Sequence, residues 1–444
     1  MIQRFLSLVN AEPGAPALID GATGAVTTRA DLWVAAERFA ASLSALRPRD
    51  GVAVRLPNSV EFVAAILAAA QRDLVVFPID RDTTETELAT ILGHFGVRGL
   101  IYRSGVSVRE THARPNVPAA ARLVKLTSGS TGMPKGIVAT DANLIADAEN
   151  ICSTMDIRPD DVNLGAIPFS HSYGFSNLVM PLLVQGTPVV VSNDYLPQSL
   201  VDLANEHRCT VAPLIPMVFE HLANAAHGAF ATIRTFLSAG APLAPSTSRK
   251  FRERYGLDIH SFYGCSECGG ITYDRRGAAV ERGTVGTAME GVTLKTHTRR
   301  LSVRSGSVAA GYLFDANTFE PFPDRTFVTD DLVELRDDGE VSLTGRASDL
   351  INTAGKKVNP REVEAVLLQI EGVREAKVYG EAAGARGEVV AAAIVATPNV
   401  SREQVREFCR ARLSLHKVPR IIKIIDEMPV DERGKVRRAA LASL

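Results

Sequence analysis

The alternation of short β-rich runs with helical patterns through the first three quarters of the chain restricts its fold most. After Thr28, residues Leu32, Ala36, Phe39, Leu43 and Leu46 recur at helical spacing, and 52–56 reads as a strand. A second helix over 59–71 leads to a strand at 75–79, and further strand candidates lie at 99–102, 123–126, 188–192, 210–214 and 235–238. Strands separated by helices predict an α/β domain with largely parallel sheets. Composition shifts near residue 345. Beyond it a helix over 361–370, strands at 376–379 and 389–395, a helix over 402–413 and a strand at 420–425 predict a separate small α+β domain. The expected division is therefore 1–347 and 348–444. A chain of 444 residues, 46% hydrophobic and 22% charged, has ample apolar material for such a pair of cores.

Charge and cysteine usage exclude several function classes. Forty-nine basic and fifty acidic residues leave a formal charge of -1, so no global field draws the protein to nucleic acid or an anionic membrane. Small molecules or individual proteins are the expected partners. No run reaches the ~18 apolar residues of a membrane span, and the apolar stretch near Met1 is too short for a signal peptide; a soluble, cytoplasmic protein is expected. The five cysteines (152, 209, 265, 268 and 409) are odd in number and scattered, unlike a secreted disulfide framework. Cys265 and Cys268 form the one CxxC, which supplies two of the four ligands of a structural zinc; they read as incidental neighbours on a loop.

The densest chemistry lies in Leu126-Thr-Ser-Gly-Ser-Thr-Gly-Met-Pro-Lys-Gly136, directly after a predicted strand. Its glycines let backbone N–H groups approach an oxyanion, the hydroxyls of Thr127, Ser128, Ser130 and Thr131 add donors, and Lys135 adds positive charge. It is not a Walker loop. Counted from Gly129, the second glycine's position holds Pro134, and Lys135 is followed by glycine instead of Ser or Thr.

This segment resembles the phosphate-binding signature of the adenylate-forming superfamily, which comprises acyl- and aryl-CoA synthetases, peptide-synthetase adenylation domains and luciferase; acyl- or aryl-CoA synthetases are the nearest match. The resemblance continues in order through Phe262-Tyr-Gly-Cys-Ser-Glu267, Thr329-Asp-Asp331, Gly345-Arg-Ala-Ser-Asp349 and Gly434-Lys435. It implies a large α/β N-terminal domain with a small mobile C-terminal domain, and use of ATP and Mg²⁺. Thr127, Ser128, Gly129, Ser130, Thr131, Gly132 and Lys135 would hold phosphate, Tyr263 and Gly264 adenine, Ser266 the α-phosphate and Glu267 the metal. Gly240 and Ala241 are assigned near the nucleotide and the pocket bend by order alone. Asp331 resembles the ribose ligand, but Asp330 replaces the family's usual glycine, so either aspartate is a candidate. Arg346 is implied as a nucleotide contact, Asp349 as the hinge, Gly355 as the passage for pantetheine and Lys435 as the catalytic lysine. A cation at Lys435 would bridge two mutually repelling anions, the attacking carboxylate and the α-phosphate, and so favour the transition state.

For the acid itself, His171 resembles a gate beside the substrate carboxylate, with Ser172, Tyr173, Pro216, Met217, Gly269 and Gly270 as pocket walls. No Asp or Glu occurs over 165–180, where relatives that activate amino acids place an aspartate for the substrate ammonium. A fatty or aryl acid is expected, not an α-amino acid. The acceptor is coenzyme A or the phosphopantetheine of an acyl carrier protein; Lys356 and Lys357 suit a phosphate of either or plain solvation. A non-catalytic nucleotide-binding relative is the rival from another class, raised by Asp330 and by trimmed segments, and opposed by the joint presence of Lys435, Glu267 and Lys135.

Overall fold

A computed structural model describes the chain except residues 104, 110, 112, 128–133, 226–227, 354–355, 383–387, 431–435, 437–439 and 442–444. Its internal contacts gather into two units. Met1–Lys295, Ser302–Phe327 and Arg336–Val341 form the larger; Thr296–Leu301, Val328–Leu335 and Ser342–Leu444 form the smaller.

The larger unit is built on two sheets. In the eight-stranded sheet Ala121–Thr127, Val75–Pro78, Gly51–Arg55 and Val97–Tyr102 form a parallel centre. Antiparallel strands finish both sides: Gly105–Val108 at one edge, and Lys135–Thr140, Gly311–Leu313 and Phe319–Pro321 at the other. The nine-stranded sheet has a parallel run through Ile259–Cys265, Thr235–Ser238, Val211–Leu214, Asn163–Gly165, Val189–Val191 and Pro16–Asp20, again with antiparallel edges. The α/β class read from the sequence holds. What spacing did not reveal are the edge hairpins, and these carry much of the site.

Helix Val60–Gln71 begins where the Ser59 side chain accepts the Phe62 N–H, and every residue from Phe62 to Ala69 is buried. An apolar helix covered on all sides belongs in the interior. Helix Asp141–Met155 opens with a capping box between Thr140 and Asn143, and buries Leu144, Ala148, Ile151 and Met155 at helical spacing. Asp147 lies on that same buried stripe.

In the smaller unit Val373–Ala382 pairs antiparallel with Glu388–Ala396, which pairs parallel with Ile421–Ile425. Helices Pro360–Leu367 and Arg402–Arg410 cover this sheet through Val363, Leu367, Val405 and Cys409, which share one apolar cluster with Val378, Val390, Ile394 and Ile422. Among the described residues no helix is long and apolar enough to cross a membrane.

Candidate functional site

Strands Ala121–Thr127 and Lys135–Thr140 form a hairpin whose register pairs Thr127 with Lys135. Its tip, including Ser128, Gly129, Ser130, Thr131 and Gly132, lies outside the described residues. Strand Gly311–Leu313 adds to the hairpin with Tyr312 opposite Ile137. This places Lys135 Nζ 5.6 Å from the Tyr312 ring centroid and 5.2 Å from that of Phe314, within cation–π range. The Tyr312 hydroxyl in turn donates to Glu267 Oε1 at 2.7 Å. Burial, reinforced by the neighbouring carboxylate, pushes the phenol far above its usual pKa, so it remains a donor. Tyr312 thus links the loop lysine to the candidate metal carboxylate. The sequence reading missed it because the pairing of Tyr312 with Ile137, between strands distant along the chain, leaves no local pattern.

The segment Ile259–Tyr273 forms a second hairpin, with Tyr263 opposite Thr272, Gly264 opposite Gly270 and Cys265 opposite Gly269. Its turn holds Ser266 and Glu267. Ser266 Oγ lies 2.7 Å from Ser172 Oγ, joining the adenine-segment serine to a candidate pocket wall. Tyr263 is half-buried and Gly264 is exposed. Cys268 is buried; its proximity, together with burial, pushes the Cys265 thiol well above its usual pKa and makes a poor nucleophile of it.

His171 precedes a short helical turn, Ser172–Gly174, that runs into a π-helical turn over Phe175–Val179 and then helix Met180–Gln185. One-turn π bulges favour functional positions because they rotate side chains relative to an α-helix. His171 Nε2 lies 2.6 Å from Asp80 Oδ2, so the candidate gate is tied to a carboxylate the sequence reading did not single out. The Tyr173 hydroxyl donates to Leu237 O at 3.0 Å, and burial raises its pKa strongly. Met217, 37% exposed, opens helix Pro216–Ala225, while Gly240 and Ala241 are exposed just beyond strand Thr235–Ser238.

Two buried charges join this neighbourhood. Asp147 accepts the Ser176 hydroxyl at 2.6 Å and the Gly270 N–H at 2.9 Å. Gly269 has φ +70°, and a Cβ there would stand 2.1 Å from Asp147 Oδ1; the position demands glycine for both reasons. Lys125, only 7% exposed, has its pKa lowered by burial, with Asp147, Cys265 and Glu267 acting in the opposite direction. An acidic residue on an apolar helix stripe and a lysine within a strand were the available signals for both.

In the smaller unit Arg346 Nε donates to Asp331 Oδ1 at 2.9 Å, while Asp330 Oδ2 accepts the Ser348 N–H at 3.1 Å. The adjacent aspartates therefore have different tasks, one pairing with Arg346 and the other fixing the short turn Ala347–Asp349. Gly355 and Lys435 lie outside the described residues; Val430 and Val436, flanking the segment that holds Lys435, pair antiparallel.

Residues 7–125 and 109–312 match the family model of the AMP-binding enzyme, and 362–435 match that of the AMP-binding enzyme C-terminal domain. The chain belongs to the AMP-binding enzyme family. Its relatives in the family include a long-chain-fatty-acid–CoA ligase, FadD13, of Mycobacterium tuberculosis, 26% identical over 97% of this chain and 95% of that protein. A sulfoacetate–CoA ligase of Cupriavidus necator is 27% identical over 97% of this chain and 94% of its own length. The ATP-bound structure of MatB from Rhodopseudomonas palustris shares the fold, with a TM-score of 0.85, 24% identity and coverage of 100% of this chain and 98% of that one. Membership of the AMP-binding family makes this chain a ligase, and its named relatives are acyl-CoA ligases.

Proposed function

We propose that this AMP-binding enzyme uses ATP to activate a carboxylic acid as its acyl-AMP and then passes the acyl group to the thiol of coenzyme A. The observation that carries this reading is the assembly of Lys135, Tyr312 and Glu267 at the mouth of the hydroxyl-rich hairpin. It brings a cation for phosphate and a hard oxygen ligand to one place. Residues 1–347 would hold ATP and the acid, and 348–444 would carry Lys435.

Glu267 fits Mg²⁺ as a lone carboxylate. Among the described residues no cluster of three His, Cys, Asp or Glu side chains could enclose an ion, and Mg²⁺ is commonly held by one or two carboxylates with substrate phosphates and water. When bound there, Mg²⁺ supplies charge neutralisation on the phosphates. Tyr312 orients the Glu267 carboxylate by its hydrogen bond, and Lys135 offsets phosphate charge. Lys435 would draw the acid carboxylate and α-phosphate together, and the Arg346–Asp331 pair would present a carboxylate to the ribose.

The acid is read as fatty or aryl in class, without an α-ammonium group. The fold does bring a carboxylate, Asp147, to the segment over 165–180, but both its oxygens already accept donors and Lys125 lies near it. A substrate ammonium would meet a cation there. Relatives named for fatty acids and for sulfoacetate show how far the acid varies within the family.

The test is acid-dependent pyrophosphate release from MgATP over a panel of aryl, short-chain and long-chain carboxylates, with and without coenzyme A. Release with one class and formation of its CoA thioester support the reading. Thioester formed only on a phosphopantetheinyl carrier protein would move the acceptor, and tight ATP binding without turnover on any acid or acceptor would favour a binding role.

A further inference from the structure

Lys125 is a buried cation to which the chemistry above gives no task. Side chains alternate along a strand, so Lys125 shares a face of Ala121–Thr127 with Leu123 and Thr127. Leu123 packs in one cluster with Leu144, Ala148 and Phe175, which directs that face toward helix Asp141–Met155 and the π turn. Lys125 feels the charges of Asp147 and Glu267, yet among the described residues it closes no direct ion pair. Asp147 is already engaged with Ser176 and Gly270 and backs onto Gly269. Lys125 is 7% exposed, so its ammonium reaches little water, and an oxygen atom from a ligand would give it the acceptor that no described group supplies. Through Asp147 this face adjoins the candidate acid pocket, because Asp147 holds the Gly270 N–H, lies against Gly269 and accepts from Ser176, one helical turn after Ser172.

We propose that Lys125 sets acid specificity by donating to an oxygen on the body of the acid, away from its reacting carboxylate. The substrate class is then a carboxylic acid carrying a second oxygen function, such as carboxylate, sulfonate, keto or hydroxyl, in place of a bare hydrocarbon tail. This rests on the acyl-AMP reading. A hydrocarbon at this position leaves the ammonium buried against carbon, whereas a polar oxygen completes it.

The experiment compares matched acids: butanoate with hydroxybutanoate and succinate, hexanoate with adipate, and benzoate with hydroxybenzoate and phthalate. Acid-dependent ATP–pyrophosphate exchange gives kcat/KM, and calorimetric titration gives binding without requiring turnover. In at least one series the oxygenated acid should exceed its parent by about tenfold or more. Lys125→Met should collapse that ratio, and Lys125→Arg, which keeps a donor, should retain most of it. The gain from hydroxyl against carboxylate separates a neutral acceptor from an anion. Preference for the parent acid in every series overturns the proposal even if no variant folds. So does an unchanged ratio in Lys125→Met, or an equal loss for all acids, which would place Lys125 at the shared carboxylate. Should no acid support exchange, the acyl-AMP reading fails, while the binding ratios still decide the role of Lys125.

Discussion

At the scale of single residues, the positions that distinguish this chain are polar groups held away from water. Lys125 has a folded-state pKa below the ordinary 10.5 because burial outweighs the attraction of Asp147. Above that lowered pKa the folded state sheds the proton that the unfolded state still binds, so Lys125 makes stability rise with pH up to about 10.5. Melting curves of wild type and Lys125→Met from pH 7 to 10 should therefore show the difference moving in favour of wild type as pH increases. Tyr312→Phe removes the one described hydrogen bond to the Glu267 carboxylate. Loss of a group that orients a metal ligand costs roughly 10–100-fold in metal affinity. A magnesium titration of pyrophosphate release should show half-saturation shifted upward by about that factor, with little change in melting temperature.

At the scale of elements, the site is made by hairpins at sheet edges more than by the parallel strands between them. The turn after Ile259–Cys265 must let Asp147 reach the backbone of Gly270, and this is possible because Gly269 adopts φ +70° with no Cβ. Gly269→Ala would introduce both backbone strain and a clash with a buried carboxylate. A loss of about 2–4 kcal/mol is expected, typical of such special positions. Denaturant unfolding would register it as a lower midpoint with an unchanged slope, and an unaltered midpoint would mean that the turn relaxes. The π turn over Phe175–Val179 works at the same scale, placing Ser176 on Asp147.

At the scale of the whole molecule, the residues that match the family's motifs are divided between two units: Lys135, Ser266 and Glu267 in one, Asp331, Arg346 and Lys435 in the other. If Lys435 serves acyl-AMP formation, Lys435→Ala should abolish acid-dependent pyrophosphate release yet leave thioester formation from supplied acyl-AMP largely intact. Stopped assays of the two half-reactions check this; equal loss of both would assign the lysine elsewhere. The sequence by itself determined the α/β class, the parallel strands and the motif order, because periodicity, turn residues and the glycine- and hydroxyl-rich loop are local properties of neighbouring residues. Only the tertiary structure decided that Tyr312 meets Glu267, that Asp80 meets His171, and that Lys125 and Asp147 are buried charges near one another. These relations depend on strand register and helix packing between segments distant along the chain, where a one-residue slip would turn a side chain to the opposite face of its sheet.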